Sequence, residues 1–296
     1  MKFCTSTREN SPFNLVVKNA SNLAFSVATN ENFTSFCVMK KLKVNLEKYF
    51  FTATETVPTN MENSIRKKIE NDASAVAKRL LAGEVFLVQT DTVFGLICCA
   101  DDELAARKII DIKHRDHPAF GLFVSGLDMA KQYVEMDAEQ AEVFNKVFPG
   151  HFTLIFKANI STYSNSTYRN ITTNSNTINR IISQAFGTKL VENEEVKTLG
   201  LRVPKSDFCI EIVRKVGKPL IATSANISGH ETAKKIDEIE PSILQSVDGI
   251  CYNENVQQNN FNSTIIDMSL GTKNARIIRQ GSGDLEIVSK LVELVY

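Results

Sequence analysis

Glu84–Ala100 reads EVFLVQTDTVFGLICCA: two apolar runs on either side of a polar turn. The first, Glu84–Thr90, has the length of a buried strand rather than of a helix. The chain then turns at Asp91, and a second apolar run follows from Leu96 to Ala100. Upstream, Ile65, Ile69, Val76 and Leu80 recur at helical spacing, and Gly83 supplies a stop. Downstream, Asp101 can cap a helix carrying Leu104, Ile109 and Ile112. The succession is therefore helix, strand, turn, strand, helix.

Outward from this nucleus the two signals keep alternating. Strands are expected at Leu122–Ser125, Phe152–Lys157, Leu199–Val203, Leu220–Thr223, Gly249–Tyr252, Thr264–Asp267 and Ala275–Ile278. Helical patterns lie between several of them, at Asp137–Val147 and Asp207–Val216, and a last one at Leu285–Val295. Interleaved elements of this kind define an α/β class in which helices flank a twisted sheet. One domain over 61–296 accounts for them, broken by a long Asn/Ser/Thr-rich loop at about 158–197 that suits a lid or an insertion. Residues 1–60 are rich in Ser, Thr and Asn without a sustained period and read as an appendage, or as sequence preceding a start at Met39 or Met61.

The 296 residues carry 34 Lys+Arg and 34 Asp+Glu, so no global basic field is available to hold nucleic acid by counterion release. Any nucleic-acid connection is expected to be indirect. The six cysteines show no CxxC pairing and no zinc-like spacing with the four histidines, which suits a reducing compartment and predicts no dedicated metal site. No apolar stretch approaches the ~20 residues that cross a bilayer. The N-terminal region uses Lys more than Arg and contains Glu9, Glu31 and Glu47, so a cytoplasmic location is expected, with an organellar one as the alternative.

Three segments carry candidate chemistry. Gln89–Leu96 (QTDTVFGL) puts two threonine hydroxyls and a carboxylate after a buried strand, where open α/β sheets bind ligands. Asp91 there suits a turn as well as a contact to water or Mg2+. Lys113-His114-Arg115 places two cations at a helix end, where they can meet a polyanion or merely complement the helix dipole. Thr223–Gly229 (TSANISG) follows an apolar strand with small hydroxyl and amide side chains, which can surround phosphate or cap a helix. There is no GxxxxGK[ST] and no GxGxxG.

These segments stand in one order with PGHFTL at Pro149–Leu154, LGLRVP at Leu199–Pro204, STIID at Ser263–Asp267 and RIIRQGS at Arg276–Ser282. In that order, over roughly residues 62–288, the chain resembles the YrdC/Sua5 family. The resemblance implies a YrdC-like twisted mixed sheet flanked by helices. It also implies a reaction of L-threonine, bicarbonate or CO2, and ATP giving threonylcarbamoyl-AMP and pyrophosphate, for tRNA threonylcarbamoyladenosine (t6A). ATP is then a substrate, Mg2+ rides on its phosphates, and a tRNA threonylcarbamoyltransferase machinery takes the product.

Carried over position by position, the resemblance assigns Thr92, Arg202, Ala222 and Ser263 to threonine. It assigns Lys113, Arg115, Thr198, Ser224, Asn226, Thr232 and Arg279 to ATP, with Lys113 and Arg115 as the catalytic cations. All four histidines, His114, His117, His151 and His230, read as exposed loop residues. The chain departs from the family pattern at Gln89, where a proline is usual, at Phe94, where a tyrosine is usual, and at Gln280, again in place of proline. Phe94 lacks a hydroxyl that could order substrate. The segment after Arg115 is one residue longer than usual, so Phe120 and Ser125 receive no ligand role.

Two rival readings share the fold. A YrdC-like double-stranded RNA-binding module would bind RNA weakly through a basic cleft, which balanced charge disfavours. A carbamoyl-transfer relative of the hydrogenase-maturation type would need zinc-finger and acylphosphatase parts that this sequence does not show.

Overall fold

A computed structural model describes residues 42–45, 59–114, 120–159, 186–191, 194–252, 261–292 and 294–295. Arg115 lies outside the described residues, as do His117 and residues 160–185.

The strands are β1 (Leu42–Asn45), β2 (Phe86–Gln89), β3 (Phe94–Cys99), β4 (Gly121–Phe123), β5 (Phe152–Lys157), β6 (Phe186–Val191), β7 (Glu194–Arg202), β8 (Leu220–Ser224), β9 (Gly249–Tyr252), β10 (Thr264–Asp267), β11 (Ala275–Arg279) and β12 (Leu294–Val295). They form one mixed sheet in the order β1-β9-β2-β3-β8-β4-β7-β5-β10-β11-β12, with β6 paired to β7. The helices are α1 (Thr59–Leu80), α2 (Glu103–Lys113), α3 (Leu127–Ala130), α4 (Ala138–Val147), α5 (Asp207–Val216), α6 (Pro241–Ser246) and α7 (Leu285–Ser289).

The opening stretch is an antiparallel hairpin with Val88 opposite Gly95, and β3 continues the sheet by pairing Gly95 with Ser224 of β8. Alternation along the strands sorts side chains onto two faces. One face carries Leu87, Leu96, Leu122, Leu154, Leu201 and Ile221, which pack with Ile109 of α2, Phe144 of α4 and Ile243 of α6 in the main core. The other carries Phe86, Val88, Ile97, Phe123 and Leu220, covered by Val76 and Leu80 of α1 and by Phe208, Ile212 and Val213 of α5. Burial of side chains of this size contributes roughly 1.5–3 kcal/mol each.

Beyond α5 this second face is only partly covered. Thr153 and Ile155 of β5 and Gly200 of β7 are half-buried, while Phe152, Leu154 and Phe156 on the core side are buried. The polar residues described below lie on this open part.

Several boundaries differ from the sequence reading. The cap of α2 is Asp102, whose side chain accepts from the backbone of Ala105, and Leu104 is 80% exposed rather than inward-facing. The final helix ends at Ser289, and Leu294–Val295 instead pairs in parallel with β11, an edge whose free backbone groups favour a strand there. Within the stretch read as a loop at 158–197, β6 and the first part of β7 form a hairpin, Phe186 opposite Leu199 and Val191 opposite Glu194. Within the stretch read as an appendage, β1 adds to the edge strand β9 with Leu42 opposite Gly249.

Candidate functional site

Arg202 is the last residue of β7 and shares a side of that strand with Thr198 and Gly200. Phe123, its register partner on β4, lies beneath the guanidinium, with the ring centroid 5.7 Å away. Arg202 Nη1 donates to Thr92 Oγ1 at 2.9 Å and Nη2 to Asp91 Oδ1 at 2.6 Å. Both partners belong to the turn between β2 and β3. That turn holds itself: Thr90 Oγ1 donates to the carbonyl of Val93 at 2.7 Å and accepts from the amide of Thr92 at 3.1 Å. The pattern is the local side-chain bonding that makes such residues turn formers.

The ion pair is buried but not saturated. The side chains of Arg202 and Asp91 are 8% and 5% exposed. Arg202 Nε and Asp91 Oδ2 are both buried without a hydrogen-bond partner. His151 Nε2 stands 3.6 Å from that same Oδ2.

A second polar group adjoins the first. Ser263, just ahead of β10, shares a hydrogen bond with Thr153 at 2.8 Å, hydroxyl to hydroxyl. Arg279, at the end of β11, donates to the Ser263 carbonyl through Nη2 at 2.9 Å. The approach is fixed from below by Thr264, whose Oγ1 accepts from the amides of Gly281 at 3.0 Å and Gly283 at 2.9 Å. Loss of hydration, and then the positive charge of Arg202, hold the Arg279 guanidinium below the usual arginine range. The two guanidiniums are thus electrostatic neighbours.

The third group sits where α2 meets the end of β8. Lys113 is the last residue of α2, and His114 turns the chain with a φ of 48°. The buried Lys113 Nζ donates to the carbonyls of Ser224 at 2.6 Å and Asn226 at 2.8 Å, and to Asn226 Oδ1 at 3.3 Å. Ser224 Oγ donates to the same Asn226 Oδ1 at 2.6 Å, and Asn226 Nδ2 donates to the carbonyl of His230 at 2.5 Å. Lys113 is therefore a held charge that shapes the TSAN turn, not a mobile arm.

Arg202, Thr92, Ser263 and Arg279 come together on the open face, and Lys113, Ser224 and Asn226 form their own cluster. The hairpin connects the two: Gly95, three residues past Thr92, pairs with Ser224, and the amide of Ala225 donates to the carbonyl of Phe94 at 2.8 Å. Ala222 lies on β8 opposite Gly121 and Ile97, and Thr198 is buried four residues before Arg202. Thr232 is half-buried and joins neither cluster through a hydrogen bond among the described residues. The Phe94 ring packs in the main core, on the opposite face from Phe123 and Arg202, so the position of the missing hydroxyl is not on the polar side.

Sequence reasoning left Asp91 as an undecided turn residue, read His151 as an exposed loop residue and did not single out Thr153. Alternation in FTLIFK carried the signal for Thr153, which faces away from Phe152 and Leu154. Among the described residues no group of three or more His, Cys, Asp or Glu side chains could hold a metal ion. A cleft of about 590 Å3 opens elsewhere, lined by Leu80, Leu81, Cys99, Asp101, Leu104 and Lys218, and contains none of these site residues. No described helix is long and apolar enough to cross a membrane.

A mixed sheet flanked by helices, with two arginines and a hydroxyl cluster on one partly covered face, defines an α/β domain with a polar cluster at its candidate site. The family model for Sua5, YciO and YrdC, described as telomere recombination, matches residues 78–281, and the chain belongs to that family. It is similar to the threonylcarbamoyl-AMP synthase of Vibrio vulnificus, 25% identical over 210 residues that make up 70% of this chain and 96% of the relative. Its fold is similar to P. abyssi Sua5 complexed with L-threonine, with a TM-score of 0.58 and 20% identity, covering 86% of this chain and 62% of that one. E. coli YciO shares it with a TM-score of 0.57 and 21% identity, over 74% of this chain and 93% of that one.

Proposed function

We propose that this chain is an L-threonylcarbamoyladenylate synthase, a nucleotidyltransferase that makes threonylcarbamoyl-AMP and pyrophosphate from L-threonine, bicarbonate or CO2, and ATP, for t6A in tRNA. The observation that carries this reading is that the Arg279 guanidinium, bonded to the Ser263 carbonyl, lies within electrostatic reach of the Arg202 guanidinium on an otherwise half-open face. Two adjacent guanidiniums suit a ligand with separate anionic groups, here an amino-acid carboxylate and a phosphate. Family membership and the names of the relatives agree with it.

In this reading Thr92, Arg202, Ser263 and the backbone at Ala222 hold the amino acid. Lys113, Thr198, Ser224, Asn226, Thr232 and Arg279 hold ATP, together with Arg115. The carbamate oxygen on the threonine nitrogen attacks the α-phosphorus, and the bond to the departing pyrophosphate breaks. Charge builds on the pyrophosphate, so fixed positive groups lower the barrier by positioning and electrostatics. Lys113 supplies such charge without reorganising, because its ammonium is already held by the turn. Mg2+ would come with the phosphates and keep water ligands.

The test is pyrophosphate release by the purified chain with each substrate omitted in turn. Release is expected only when threonine, bicarbonate and ATP are all present. Release that ignores threonine overturns the proposal.

A further inference from the structure

We propose that His151 is the base that takes a proton from the α-ammonium group of the bound amino acid, with Asp91 orienting it. This rests on the synthase reading and adds to it the residue that activates the nucleophile.

His151 directly precedes β5, and strand alternation puts its side chain on the same face as Thr153, whose hydroxyl meets Ser263. Its backbone is anchored there, since the carbonyl of His151 accepts from the amide of Thr264 at 2.9 Å. Its Nε2 is 3.6 Å from Asp91 Oδ2. That oxygen is buried and has no hydrogen-bond partner, while the other carboxylate oxygen is taken by Arg202. A small rotation of the imidazole brings Nε2–H within hydrogen-bond reach of the orphan oxygen. An unpaired buried carboxylate oxygen is costly, so the rotation satisfies it.

The bond would fix the tautomer, with the proton on Nε2 and the lone pair on Nδ1. Nδ1 has no hydrogen-bond partner among the described residues, and the side chain is 35% exposed, so it is open to a ligand. Asp91 cannot take this role itself, because one oxygen is committed to Arg202 and the other has no access to solvent. The carboxylate that faces the imidazole is Asp91 from the β2–β3 turn, which Arg202 of β7 pairs from its other oxygen, with the thiol of Cys209 on α5 beyond Asp91.

The step balances with bicarbonate. The nitrogen lone pair of His151 takes one proton from the α-ammonium group, leaving a neutral amine. The amine nitrogen then forms a bond to the bicarbonate carbon, a carbon–oxygen bond breaks, and water leaves with the amine proton, giving the carbamate. The proton on His151 passes to solvent.

The experiment runs the enzyme in both directions. Synthesis from threonine, bicarbonate and ATP needs the amine to be deprotonated. Formation of ATP from threonylcarbamoyl-AMP and pyrophosphate breaks the phosphorus–carbamate link before any proton reaches nitrogen. His151→Asn is expected to slow synthesis about 100-fold, the lower end of what general base catalysis contributes, while ATP formation stays within about two-fold. Free imidazole should restore part of the synthesis in His151→Ala. Equal losses in both directions, or no loss in either, overturn the assignment. A wild-type chain inactive in both directions sinks the synthase reading and the assignment with it, whereas an active wild type matched by His151→Asn sinks the assignment alone.

Discussion

Arg202 and Asp91 form an ion pair at 2.6 Å in which the side chains are only 8% and 5% exposed. Their geometry ties the end of β7 to the β2–β3 turn, elements more than a hundred residues apart in the sequence. Removing one partner of such a pair leaves a buried charge with nothing to offset it, and that costs more than the pair contributes.

Arg202→Ala is therefore expected to lower stability by about 3–5 kcal/mol, and Asp91→Ala by a similar amount. The double variant should lose less than the sum, because the orphaned charge disappears. Chemical denaturation of the four species measures the coupling. Arg202→Lys keeps the charge but cannot fork between Thr92 and Asp91. It should retain most of the stability and lose threonine affinity, read by calorimetric titration with the amino acid.

Lys113 makes a separable prediction. Its buried ammonium satisfies the carbonyls of Ser224 and Asn226 in a half-buried turn. Lys113→Met keeps the stem and removes the donors, so two acceptors lose their partner at a cost of about 1–3 kcal/mol. Lys113→Arg should not restore the wild-type melting temperature, because a planar guanidinium cannot send three donors to one convergent site. Thermal melting distinguishes this from a lysine that matters only to phosphate, which would leave the ligand-free protein unaffected.

The sheet was legible because its strands stand out as short apolar runs between helical patterns: Phe152–Lys157, Gly249–Tyr252 and Thr264–Asp267 lie where those runs put them. The last helix was overextended because Leu285–Val295 is apolar enough for either period, and the free edge of β11 decides the matter. Thr92, Arg202, Ser263 and Arg279 were singled out through motif order, which names residues without stating their contacts. The partners that hold them were not legible. Asp91 looks like any turn aspartate until Arg202 is brought across from β7, and His151 looks like a loop histidine until its register beside Ser263 places it over Asp91. Pairings between residues so distant in the chain leave no local trace in composition or spacing.

The buried thiols predict an alkaline limit to stability. Burial pushes the Cys99 and Cys209 thiols up from 9.0 to about 12; nearby Asp101 adds to the first, and a hydrogen bond with Ser206 partly offsets the second. Burial likewise raises Cys98 and Cys251. In the folded chain these groups keep their protons where the unfolded chain has begun to release them. Above pH 9 the unfolded state therefore binds fewer protons, and stability falls as pH rises, by about 1.4 kcal/mol per pH unit for each thiol. The loss should continue towards pH 12, where the folded thiols titrate too. Urea denaturation at pH 8, 9 and 10 should show this slope, and a Cys99→Val, Cys209→Val variant should show a shallower one.

Gly281 tests how the Arg279 side of the site is held. A Cβ built there would overlap the backbone carbonyl of Asn262 and press on the carbonyl of Ser263 at 2.7 Å, and backbone cannot swing aside as a flexible side chain does. The amide of Gly281 also donates to Thr264 Oγ1 at 3.0 Å, so a displaced residue 281 loosens β10 as well. Gly281→Ala should therefore move Ser263 and Arg279 apart, although neither is altered. The expected result is an overpacking cost of about 1–3 kcal/mol together with a loss of threonine binding larger than that destabilisation explains. Gly271→Ala is the comparison: it has a strained φ of 88° but nothing within 4 Å of its added Cβ, so it should cost stability and leave the affinity of the folded protein for threonine unchanged. Equal threonine affinities in the two variants would show that the Ser263–Arg279 contact does not depend on the close approach at Gly281.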